Sequence, residues 1–128
     1  MKAIVSTREG WFAVDLDNEE LEACDPPLTQ PEIEKPGLPR VLDADASGST
    51  VIALVDARPP LLVSYDAGTT WNESGRGLPP GVAVALSPDD PDLGVYATRD
   101  RLYLTRDGGR FWRRLEPELD AIEDVQLD

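Results

Sequence analysis

The 128-residue sequence has no histidine, one cysteine and one methionine. Without histidine the chain lacks the commonest general base and the commonest transition-metal ligand, so acid–base work would fall to carboxylates and tyrosines. With Cys24 alone no internal disulfide can form, which fits a reducing compartment, and a cytoplasmic location is expected. Basic residues are also scarce. Twelve Lys and Arg stand against 25 Asp and Glu, a net charge of −13, and so negative a surface disfavours nucleic acid or an anionic membrane as partner. Arg8 and Glu9 interrupt the start before a signal-peptide core could form, and no apolar run is long enough to span a bilayer. Neither a metal nor a cofactor is expected.

What the sequence does contain is a repeat. Ser64-Tyr65-Asp66-Ala67-Gly68-Thr69-Thr70-Trp71 is echoed by Thr105-Arg106-Asp107-Gly108-Gly109-Arg110-Phe111-Trp112, 41 positions later, and both read S/T-x-D-x-G-x-x-W. A carboxylate at a turn accepts backbone N–H groups, and the glycine supplies a left-handed conformation. The tryptophan is expected to return to the core. A period near 40 with four short strands per unit is that of propeller blades, each a four-stranded antiparallel sheet.

Taken in order, residues 3–6 and 11–14 read as strands around a turn at 7–10, and 20–22 is a weaker third strand. This blade lacks a first strand and has no closing tryptophan. The connection over 23–40 carries Pro26, Pro27, Pro31, Pro36 and Pro39, which exclude helix and any central strand. Gly37-Leu38-Pro39 recurs as Gly77-Leu78-Pro79, each ahead of a first strand. The second blade, 41–76, places strands at 41–45, 51–55, 61–64 and 70–72. The third, 77–118, places them at 82–86, 94–98, 102–105 and 111–115. Residues 119–128 then repeat the first-strand pattern of 78–87 with no blade to follow.

The doubled motif resembles the Asp-box (BNR) repeat of sialidases, sortilin-type receptors and photosystem II assembly factors. The resemblance implies an all-β propeller. It also implies that Ser64, Asp66, Gly68 and Trp71, with Thr105, Asp107, Gly109 and Trp112, are structural, because the Asp box marks a blade rather than a reaction. Three blades subtend too small an arc to close a ring, and an open arc leaves sheet edges and apolar faces in water. The expectation is therefore a homodimer of two three-blade halves forming six blades. In it, the first blade (1–22) receives strand 119–128 from the partner chain.

Aligning the blades sets Arg8, Arg58 and Arg99 at the same place, in or beside the turn between second and third strands. Planar guanidinium forks suit carboxylate or phosphate groups, which makes this turn-bearing face the candidate site for a protein, a glycan or an anionic small molecule. The alternative is that each arginine pairs locally, with Glu9, Asp56 or Asp100. Sialidases add a tyrosine nucleophile to an arginine triad. Here Tyr65 sits inside the Asp box, leaving Tyr96 and Tyr103, and the N-terminal arginine motif of that family is absent. No catalytic residue is assigned. The expected function is a non-catalytic binding scaffold, with a glycoside hydrolase or carbohydrate-binding propeller as the alternative. Asp43-Ala44-Asp45-Ala46-Ser47-Gly48 opens like a calcium loop, but Leu54 stands where the last carboxylate belongs.

Overall fold

The computed structural model describes residues 2–24 and 41–127. Most of the proline-rich connection, with its Gly37-Leu38-Pro39, lies outside the described residues. The strands are Lys2–Thr7 (β1), Gly10–Asp15 (β2), Glu20–Cys24 (β3), Val41–Ser47 (β4), Thr50–Val55 (β5) and Leu61–Ser64 (β6). They continue with Asn72–Ser74 (β7), Gly81–Leu86 (β8), Gly94–Thr98 (β9), Arg101–Thr105 (β10), Arg113–Glu118 (β11) and Ile122–Leu127 (β12). They form three four-stranded sheets in a blade-like arrangement, ordered β12-β1-β2-β3, β4-β5-β6-β7 and β8-β9-β10-β11, with every pairing antiparallel. No helix among the described residues is long and apolar enough to cross a membrane.

The third sheet is the middle layer, a consequence of the two-residue period of a strand. Ala83, Ala85, Val95 and Ala97 belong to one apolar cluster with Ala3, Val5 and Val14 of the first sheet. The intervening Val84, Leu86 and Tyr96 belong to another, with Ile52, Leu54, Leu61 and Val63 of the second. Both faces of the β8–β9 pair are thus buried, which is why both strands read as continuous apolar runs rather than alternating ones. Edge groups of β8 are also covered: the Val84 and Leu86 amides donate to the Asp43 and Asp45 carboxylates of β4, at 3.0 and 2.7 Å.

Two expectations differ from the structure. The closing strands of the second and third sheets begin later than the sequence suggests, at Asn72 and Arg113 rather than 70 and 111. The Asp66 and Asp107 carboxylates hold the amides of Thr70, Arg110 and Phe111 inside the turn, so none of them is free for a strand ladder. The second concerns β12. It does complete the first sheet, with Ala3 opposite Leu127 and Val5 opposite Val125, and in this single chain it pairs with β1 of the same copy. Closure within a chain is unimolecular and carries no concentration penalty, so it is the pairing available to a single copy.

Candidate functional site

The two S/T-x-D-x-G-x-x-W turns, which resemble Asp boxes, are built alike. In the first, the Ser64 hydroxyl donates to Asp66 Oδ1 (2.7 Å) and accepts the Gly68 amide (2.8 Å). Asp66 also takes the Thr70 hydroxyl at 2.6 Å and the Thr70 amide at 2.8 Å. In the second, Thr105 and Asp107 repeat the pairing at 2.8 Å, and the carboxylate accepts the Arg110 and Phe111 amides at 3.1 and 3.0 Å. Gly68 and Gly109 sit at φ of 93° and 91°, the left-handed region the motif needs. Bonds from the Thr70 hydroxyl, the Thr70 amide and the Ser64 hydroxyl lower the Asp66 pKa to about 2. Burial alone would raise that of Asp107, yet the Phe111 amide, the Thr105 hydroxyl and the Arg110 amide lower it. Both carboxylates are thus engaged chiefly in holding their own turns.

The tryptophans are less buried than expected. Each indole lies against the glycine of its own box, but Trp71 and Trp112 are only half-buried, because the box stands at the sheet margin. The Trp112 Nε1 donates to Ser74 Oγ and Gly109 O, at 3.2 and 3.1 Å, and Ser74 Oγ in turn bonds Gly109 O. These contacts tie the edge of the second sheet to the second Asp box.

Arg8, Arg58 and Arg99 all fall in turns between second and third strands, as aligned: between β1 and β2, β5 and β6, and β9 and β10. Their surroundings differ. Arg8 pairs with Asp120 at 3.1 Å, not with Glu9. Its amide also donates to Ala121 O, while Leu119 and Ile122 donate to the Asp100 and Arg99 carbonyls. The connection from β11 to β12 is therefore clamped between the Arg99 and Arg8 turns, which is what carries Asp120 to Arg8. Arg58 and Arg99 are exposed and make no ion pair among the described residues. Arg58 borders an open depression of about 660 Å³ whose other walls include Glu73, Arg76, Leu78 and Pro80. Arg76 is a neighbour the sequence alone did not single out.

A second depression, about 530 Å³, lies between β7 and the second Asp box and is lined by Tyr65, Glu73, Arg76, Arg110, Phe111 and Trp112 among others. The Tyr65 hydroxyl donates to Gly108 O at 2.9 Å, and the Arg110 guanidinium lies 4.5 Å from the Tyr65 ring centre. Phe111 is 72% exposed at its rim. Reading the motif as a turn lock had absorbed these residues. The signal that could have found them is the pair of large exposed side chains, Arg110 and Phe111, at the variable positions of the second box.

The calcium-like stretch is strand rather than loop. Asp43 and Asp45 lie in β4, and burial raises the Asp45 pKa despite the amides of Leu86 and Ala46 and with some repulsion from Asp124. No group of three or more carboxylate or thiol side chains fit to hold a metal occurs among the described residues. Tyr96 and Tyr103 lie against each other, ring centres 6.1 Å apart. Burial pushes the Tyr96 hydroxyl up to about 12, and it donates to Pro79 O at 2.6 Å, a structural bond rather than a nucleophile's setting.

No protein-family model matches this chain, and no solved structure does. A 71-residue stretch, 53% of the chain, is 35% identical to the "Vacuolar protein sorting/targeting protein 10" of Zygosaccharomyces rouxii. The chain spans about 4% of the length of that relative, so what is similar is a small part of a much larger protein.

Proposed function

We propose that the chain is a non-catalytic binding module of the Asp-box propeller type, with a site for an anionic ligand or protein segment on the face carrying the second-to-third strand turns. The observation that carries this is Arg58: in a chain of net charge −13 it has no carboxylate partner among the described residues, and it shares an open depression with Arg76. A guanidinium left unpaired amid excess carboxylate is available to a ligand. The similarity to a protein named for sorting and targeting agrees with binding rather than turnover. Arg99 extends the same face, and Arg8, already paired, contributes least. The lone thiol Cys24 supports a reducing compartment such as the cytoplasm.

The test is a melting curve with sulfate or glucuronate at matched ionic strength. A ligand at ten times its Kd stabilises by about 1.4 kcal/mol, a readily measured shift. The rise is expected in the native chain and absent in Arg58→Ala. An unchanged melting temperature with every anion would remove the site. Turnover of any chromogenic glycoside would replace the binding reading with the hydrolase one.

As its assembly, two copies complete a six-bladed ring. Support comes from the count of three blade-like sheets and from the faces of the outer sheets turned away from the two clusters. Those faces carry Ile4 and Trp11 on one sheet and Val51 and Leu62 on the other, all half-buried.

A further inference from the structure

Of the ten described Lys and Arg, five make ion pairs, namely Lys2, Arg8, Arg101, Arg106 and Arg113. Arg58, Arg76, Arg99, Arg110 and Arg114 make none with the described residues. With carboxylates in twofold excess, a cation left without one is a departure from the easy outcome. Three of these five line one continuous groove. The depression between β7 and the second Asp box holds Arg76 and Arg110, and through Glu73, Arg76 and Leu78 it opens into the depression that reaches Arg58. Arg110 is fixed without a close ion pair among the described residues: its guanidinium rests over the Tyr65 ring and bonds the Asp107 carbonyl at 2.7 Å. The floor of the groove is β7, the outermost strand of its sheet, with a neighbour on one side only.

We infer that this groove takes an extended acidic peptide laid along the free edge of β7. Acidic side chains would lie on Arg76 and Arg110, and an apolar one against Phe111 and Trp112. An edge strand offers backbone donors and acceptors at about 3.3 Å per residue, so side chains of an added strand that share a face recur about every 6.6 Å. Main-chain bonds then supply affinity, and the arginines and rings supply selectivity. Charge complementarity favours this edge over that of β3, which exposes Glu20 and Glu22. At physiological salt the Debye length is about 8 Å, so the remote negative charge is screened while guanidinium contacts persist. The inference rests on the binding reading above for its class of function, and on Arg76 and Arg110 rather than on Arg8 or Arg99.

The experiment uses the full chain and a fluorescein-labelled seven-residue peptide alternating glutamate with valine or leucine, against the same peptide with lysine for glutamate. Anisotropy at about 0.15 M salt is expected to show the acidic peptide binding at least tenfold tighter. Amide shifts in a two-dimensional NMR spectrum should cluster at 72–76 and 108–112. R76E/R110E should weaken binding at least tenfold, as should the milder R76Q/R110Q if the first variant folds poorly, while R114E, outside the groove, should not. Equal binding of the two peptides, no binding at millimolar peptide, shifts elsewhere, or an equal loss in R114E would overturn the inference. So would a sulfated glycan shifting the same amides where the peptide does not. An Arg58→Ala chain that loses the anion-dependent melting shift yet keeps the peptide would separate the two sites, and peptide silence with the anion shift intact would end the groove alone.

Discussion

At the scale of single residues, the Asp-box carboxylates set how stability depends on pH. The folded-state pKa of Asp66 is about 2, against 3.8 for the free side chain. A depressed pKa means that the stabilisation is present above about pH 4 and is lost as pH falls through the folded value. Melting temperature measured from pH 5 to pH 2 should therefore fall, and the fall should be shallower in Asp66→Ala. At pH 7 that variant should melt lower, by on the order of 5 °C. Trp112→Ala should cost more than Trp71→Ala, because only Trp112 joins an apolar cluster and carries hydrogen bonds from its ring nitrogen. Half-burial puts Trp112 at about half of the ~3–5 kcal/mol of an enclosed large ring, which chemical denaturation can check. Gly81 is a steric case: a Cβ there would come within 2.4 Å of the Tyr96 ring. Gly81→Ala should then destabilise by about 1–3 kcal/mol, the usual cost of overpacking, whereas Gly77→Ala meets no atom near its Cβ and would be strained only by its φ of 86°. That the carboxylate would hold backbone amides of its own turn was legible in the motif, since those partners lie within a few residues, whereas its bond from the Ser64 hydroxyl was not. The Arg8–Asp120 pair was not, because it depends on a connection 112 residues away being clamped beside the turn.

At the scale of elements, nearly all the strands could be read from alternation and turn residues, and even the orphan strand near the C-terminus could be matched to its sheet. What could not be read is anything that one sheet does to another. Asp43 and Asp45 resemble the start of a metal loop until β8 is seen to place two amides against them. Arg76 and Arg110 belong to different sheets, so their common groove exists only once β7 packs on the second Asp box. The closing strands were misplaced by two residues because the same carboxylate bonds that mark the box also delay the ladder. The closure by β12 gives an element-scale prediction. Removing residues 119–127 strips β1 of a partner along its whole length and takes Leu119, Ile122, Val125 and Leu127 out of the first apolar cluster. The truncated chain should lose cooperative thermal unfolding by circular dichroism, and the β1 amides should lose hydrogen-exchange protection. A normal melt would show that the first sheet does not need this strand.

At the scale of the whole molecule, the proposed ring makes a mass prediction. Light scattering or sedimentation should give twice 14.0 kDa, and the melting temperature should rise with protein concentration. A compact monomer at micromolar concentration would rule the ring out, leaving a three-sheet unit in which the third sheet alone is covered on both faces. The pairing of β1 with β12 bears on how such a molecule comes to be made. The two strands lie side by side, yet more than a hundred residues separate them along the chain. On a ribosome adding about 5–20 residues per second, β1 waits several seconds with one edge bare. Its own closing strand does not yet exist, while finished copies released nearby already offer theirs. Whether the first sheet is sealed from within or by a sibling is then a race during synthesis, and slowing translation late in the message should tilt it toward linked pairs.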